Sequence, residues 1–119
     1  MAYWNSLFPS RKPAGHAGAK AALAANLREP GRMAALRKMV SLSKTDTESI
    51  LGSGRVPALV VMGTRDPDFP DAAAEASWLG EVLGTEPLIV EGAGHYPHLE
   101  MPERVAPALM DFLARLYAS

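Results

Sequence analysis

The sequence predicts an α/β fold, with helices alone over residues 1–54 and a strand–helix–strand–helix unit over 55–119 whose two strands are parallel. Three observations carry this expectation. Ala58-Leu-Val-Val-Met62 and Pro87-Leu-Ile-Val90 are short unbroken apolar runs, the pattern of strands covered on both faces in a parallel sheet. The stretches between and after them repeat apolar residues at helical spacing. The first 54 residues carry helical stripes and no run of that strand-like kind.

Composition narrows the class. A chain of 119 residues fits one domain. Hydrophobic residues make up 48%, but 20 of these 57 are alanine, so 37 large apolar side chains remain to build a core. With no cysteine, a disulfide framework, a cysteine nucleophile and a Cys-ligated metal are excluded. No apolar run approaches the roughly 18–20 residues of a membrane span. The start, Met-Ala-Tyr-Trp-Asn-Ser-Leu-Phe-Pro, lacks a basic stretch followed by an apolar one, so no signal peptide is read and the cytoplasm is the expected location. Residues 1–54 hold eight Lys/Arg against three acids (+5), and residues 55–119 hold four against ten (−6). Solvated helix faces are the plain reading, and a basic surface complementing an absent acidic one is the sharper. The basic residues are not interleaved with aromatics, so neither a nucleic acid nor a membrane is an expected partner.

In chain order, Pro13 opens a helix over about 14–28 with Ala19, Leu23 and Leu27 on one face. Glu29-Pro30-Gly31 interrupts it. Pro30 suits the first position of the next helix, where no amide hydrogen is needed, and Met33, Leu36 and Val40 form that helix's stripe. Met33, Leu36 and Met39 fit either plain helix packing or the lining of an apolar pocket. A third helix fits 45–51, with Thr45 as N-cap and Glu48 at capping-box spacing, before Gly52-Ser53-Gly54 ends it. After the first strand, residues 71–84 read as a helix with Ala74, Trp78 and Val82 facing the core. The last helix, 102–117, aligns Val105, Leu109, Phe112, Leu113 and Leu116. Pro107 inside it predicts a kink or a late start. The crossover between parallel strands should be right-handed.

In open parallel sheets, functional groups gather beyond the carboxyl ends of the strands. The first strand is followed by Gly63-Thr-Arg-Asp-Pro-Asp-Phe-Pro70, the second by Glu91-Gly-Ala-Gly-His-Tyr-Pro-His-Leu-Glu100. Neighbouring strands lie about 4.8 Å apart, so Asp66 and His95 can meet side chain to side chain. A carboxylate on one imidazole nitrogen fixes the tautomer and supports the imidazolium formed in proton transfer. The plainer readings are a turn carboxylate holding backbone amides and a histidine packing the sheet end. Asp68 is the alternative acid. Gly92 and Gly94 are expected to turn the chain with positive φ and aim His95 over the sheet. His98, three residues past His95, hints at metal spacing, but the intervening Pro97 argues against a helix that would align them; no metal site is expected. His98 is placed near a pocket mouth and His16 on the surface.

Arg55-Val-Pro-Ala-Leu-Val-Val-Met-Gly-Thr-Arg-Asp-Pro-Asp-Phe-Pro70 and Gly92-Ala-Gly-His-Tyr-Pro-His-Leu-Glu-Met-Pro-Glu-Arg104 resemble the C-terminal part of the α/β-hydrolase superfamily. There the triad acid follows a late core strand in a G-x-x-D turn, and the triad histidine follows the last strand in a G-x-G-H loop. The resemblance implies a partial α/β-hydrolase fold, with 1–54 a helical lid and 55–119 the C-terminal part of the core. Asp66 becomes the acid and His95 the base of a nucleophile–His–Asp triad. It implies no cofactor. The superfamily's nucleophile sits on a G-x-S-x-G elbow, and the sequence holds no such motif; Gly52-Ser53-Gly54 is the nearest and precedes a strand. The expected function is hydrolysis of an ester or similar bond in a small uncharged organic substrate, with a Ser or Asp nucleophile supplied from elsewhere and the isolated chain inactive. The alternative is a non-catalytic truncated or oligomerising fragment. Two parallel strands without neighbours leave apolar surface open, worth several kcal/mol at roughly 25 cal/mol per Å². A homo-oligomer or a complementary hydrolase half is therefore the expected protein partner.

Overall fold

The computed structural model describes residues 2–54 and 56–118. Its elements are α1 (Ala2–Ser6), α2 (His16–Arg28), α3 (Arg32–Val40), α4 (Thr45–Ile50) with a 3-10 turn at Leu51–Ser53, β1 (Val61–Gly63), α5 (Ala72–Leu83), β2 (Leu88–Val90), α6 (Pro97–Glu100) and α7 (Pro102–Tyr117). The fold is α/β, as expected. The strands pair in parallel, Val61 opposite Leu88 and Gly63 opposite Val90, with α5 as the crossover. The ladder is shorter than the apolar runs.

Alternation along β1 gives each face its own helix. Val60 and Met62 pack on Ala72 and Ala76 of α5, with Phe69, Leu79, Leu83 and Ile89 around them. Val90, Ala93 and Val105 form the other cluster, joined by Val61, Leu88 and Met101 on the side of α7. Helix α5 is held at both ends. The Asp71 carboxylate accepts from the Ala74 N–H, and Gly84 closes the helix in the left-handed region. Helix α7 starts at Pro102 and runs through Pro107 to Tyr117, so the late start does not occur. Pro107 lies inside the helix and withholds the N–H that would reach back to Glu103.

The helical first half departs from expectation in detail. Gly31, with φ +80°, precedes α3, so Pro30 lies in the turn instead of opening the helix. Lys44 takes the cap position of α4 with no side-chain bond. Thr45 is thereby drawn inside the helix, where its hydroxyl meets Ser43 Oγ at 2.8 Å, and the capping box does not form. Helices α2, α3 and α4 contain no buried residue. Met33 and Met39 stand exposed, so they line no closed pocket. Trp78 is 38% exposed, because it faces the α4 side of α5 and not the sheet. The radius of gyration, 16.5 Å, exceeds the roughly 13–14 Å of a compact chain this long; the excess is this loosely packed helical part.

Residues 2–12 behave differently. Leu7 and Phe8 are buried, the Leu7 carbonyl accepts from the His95 N–H at 3.1 Å, and Phe8 stacks on Tyr96 with ring centroids 5.3 Å apart.

Candidate active site

The turn after β1 is built from the backbone outward. The Asp66 N–H donates to the Gly63 carbonyl at 3.2 Å and the Arg65 N–H to Ala93 at 2.9 Å. The Asp66 carboxylate, only 6% exposed, accepts from the Asp68 N–H at 3.0 Å. The plain turn-capping role therefore exists alongside any other. After β2, Gly92 takes φ +80°, and its N–H donates to the Thr64 hydroxyl at 2.9 Å. Gly94 does not take positive φ. Its lack of a side chain serves close approach: a Cβ there would lie 2.9 Å from the Leu7 carbonyl carbon, and nearer still to the Leu7 oxygen and the Pro9 ring.

These two turns bring Asp66 and His95 together. The imidazole Nδ1 lies 2.9 Å from Asp66 Oδ2 and 3.1 Å from Oδ1. A carboxylate only accepts, so Nδ1 carries the proton and Nε2 is left for chemistry. Asp68 Oδ2 stands farther off, at 3.3 Å. Its other oxygen accepts from the Tyr3 hydroxyl at 2.5 Å. That bond, helped by burial and by the charges of Asp68 and Asp66, pushes the Tyr3 phenol up to about 12. The Tyr96 ring meets His95 edge-on at 4.8 Å.

His95 borders a cavity of about 410 Å³ lined mainly by Leu59, Val61, Val105, Leu109 and Phe112, with Pro57, Pro97 and His98. A cleft of about 480 Å³ lies between α4 and α5, against Lys44, Glu48, Glu75 and Trp78. It touches neither Asp66 nor His95, whereas the smaller one borders His95. His98 lies on α6, which Pro97 opens instead of preventing, because its ring supplies a ready first helical residue. Among the described residues, the imidazole and carboxylate atoms that converge within 4.8 Å belong to Asp66, Asp68 and His95, without His98. Nδ1 is already taken by Asp66.

His16 is half-buried instead of fully on the surface. Its ring packs against Trp4 and edge-on against Phe8, with Nε2 buried. Ser53 donates its hydroxyl to the Ile50 carbonyl at 2.7 Å. Among the described residues, no serine or threonine hydroxyl bonds His95.

Two contributors escape the sequence reading. Tyr3 reaches Asp68 from 65 positions away. Glu100 is completely buried and accepts from the Gly94 N–H at 2.7 Å. Its position at the end of the short helix α6, among Pro, His and Leu, gives no local sign of burial.

Residues 2–108 match the model of the Alpha/beta hydrolase family. No solved structure matches the chain significantly.

Proposed function

We propose, from the premise that this chain belongs to the alpha/beta hydrolase family, that Asp66 and His95 are the acid and base of a nucleophile–His–Asp triad. The chain's two parallel strands with a helix on each face form part of such a fold. In the proposed division, residues 1–54 supply a helical lid and residues 55–119 the C-terminal part of the core with the last two strands. The single observation that carries the reading is the Nδ1 to Asp66 contact at 2.9 Å, made by a buried carboxylate at the carboxyl ends of adjacent parallel strands.

The proposed chemistry follows from that contact. Asp66 holds the Nδ1–H tautomer and stabilises the imidazolium. Nε2 accepts the proton of an attacking hydroxyl or water and returns it to the leaving group. The apolar lining of the adjoining cavity suits an uncharged organic ester or a similar substrate. The nucleophile, serine or aspartate, comes from outside these residues. The chain alone is then expected to hydrolyse a nitrophenyl ester at the background rate. Mixed with a separately expressed segment bearing the earlier strands and a G-x-S-x-G turn, it should gain turnover that His95→Ala removes. Turnover by the chain alone, or turnover in the mixture that survives His95→Ala, overturns the reading.

A second reading, a non-catalytic oligomerising module, is favoured by the apolar side chains exposed along the helical part, among them Met39, Val40, Leu42 and Ile50. It predicts association without turnover in any mixture.

A further inference from the structure

We infer that Glu100 is a positioning residue for His95, tying the imidazole loop to the segment 7–11; this rests on the reading of His95 as the base. Glu100 is 0% exposed. A carboxylate withdrawn from water is strongly unfavourable unless its oxygens are fully hydrogen-bonded. Here the donors are backbone amides. Oε1 accepts from the Ser10 N–H at 2.5 Å and the Arg11 N–H at 2.8 Å. Oε2 accepts from the Gly94 N–H at 2.7 Å. The first two donors lie about ninety positions before Glu100 and the third lies six before it. The carboxylate is satisfied only when the N-terminal segment and the His95 loop are both in place.

Neighbouring bonds run along the same seam. The His95 N–H donates to the Leu7 carbonyl at 3.1 Å, the Ser10 hydroxyl donates to the Gly92 carbonyl, and Arg11 Nε donates to the Glu100 carbonyl at 2.6 Å. Gly94 immediately precedes His95, so fixing its amide fixes the peptide from which the imidazole projects. Glu100 makes no hydrogen bond to the ring and acts through the loop. A carboxylate is required because each oxygen meets N–H donors; an amide in its place would point an NH2 at one of them.

The test is nitrogen NMR of the His95 ring and amide exchange in the full chain, comparing wild type, Glu100→Gln and Arg11→Ala. Glu100→Gln should lower protection of the Gly94, Ser10 and Arg11 amides at least about tenfold. It should also lose the Nδ1–H tautomer, while amides of α5 across the sheet keep their protection. Arg11→Ala retains all three carboxylate bonds and should keep the tautomer. If Glu100→Gln loosens the three amides but leaves the tautomer intact, Glu100 is only structural and the inference fails. If Glu100→Gln does not fold, wild-type exchange decides. The three amides and the Nδ1 proton should then open together, with protection within about threefold; separate opening overturns the inference. Because the readout is spectroscopic, a missing turnover in the complemented chain defeats the proposed function without touching this result.

Discussion

Gly63 and Gly94 meet backbone to backbone at the carboxyl ends of the two strands. A Cβ on Gly63 would lie 2.7 Å from the Ala93 carbonyl carbon and closer still to the carbonyl oxygens of Ala93 and Gly94. This approach lets the turn bearing Asp66 and the loop bearing His95 sit close enough for a direct hydrogen bond.

Gly63→Ala should therefore destabilise the chain by about 1–3 kcal/mol or more, because backbone on the facing loop cannot move aside as a side chain would. Gly18, inside α2, has open space at its Cβ. Gly18→Ala should stabilise by about 0.5–1 kcal/mol through helix propensity. Urea unfolding of both variants checks the pair, and equal effects would contradict the close approach.

Asp66 and Asp68 both lie near Nδ1, but only one is placed to hold it. Asp66 is buried and bonds through both oxygens, whereas Asp68 is engaged by Tyr3. Asp66→Asn should cost about 1.5–3 kcal/mol, the usual range for a charged hydrogen bond. Asp68→Asn should cost less than about 1 kcal/mol, as for exposed pairs. Chemical denaturation of the two single variants measures the difference; a larger loss at Asp68 would reverse the assignment.

The unit from β1 to α7 was legible because its signals are local. Unbroken apolar runs marked both strands, and the G-x-x-D and G-x-G-H turns stood directly after them. The helical first half was legible as helices but not as packing. Its stripes at Ala19, Leu23, Leu27 and Met33 read like core faces, yet α2 and α3 bury nothing. Apolar periodicity records which residues share a face, not whether another element covers it. Helix α1, the Tyr3–Asp68 bond and the burial of Glu100 were illegible for another reason. Each depends on residues 2–11 folding onto the two site-bearing turns, 65 positions later for Tyr3 and Asp68 and about ninety for Ser10, Arg11 and Glu100, and no spacing rule encodes those contacts.

The Tyr3 phenol, pushed up to about 12 from its ordinary 10.0, gives a pH prediction with a definite sign. A raised folded-state value means that the bond to Asp68 stabilises fully below the unfolded phenol's value, and that this contribution is lost as pH rises from about 10 towards about 12. Spectrophotometric titration should show one of the three tyrosines ionising late. Tyr3→Phe should remove that late step. A titration that Tyr3→Phe leaves unchanged at its late end would contradict the hydrogen bond.

The exposed apolar helix faces predict association. Sedimentation equilibrium should give a mass above the 12.7 kDa monomer that rises with concentration. Val40→Lys together with Met39→Lys, both at exposed positions, should return it towards the monomer. A wild-type chain that stays monomeric across the concentration range would remove the case for a homo-oligomer.

The most direct measurement is the protonation pattern of the His95 ring, read from its nitrogen chemical shifts in wild type and in Asp66→Asn. A ring oriented by Asp66 keeps its proton on Nδ1, shared with the carboxylate, in wild type, and shifts towards the tautomer mixture of free imidazole in the variant. A wild-type ring that already shows the free mixture, or one that Asp66→Asn leaves unchanged, contradicts the pairing on which the acid–base assignment stands.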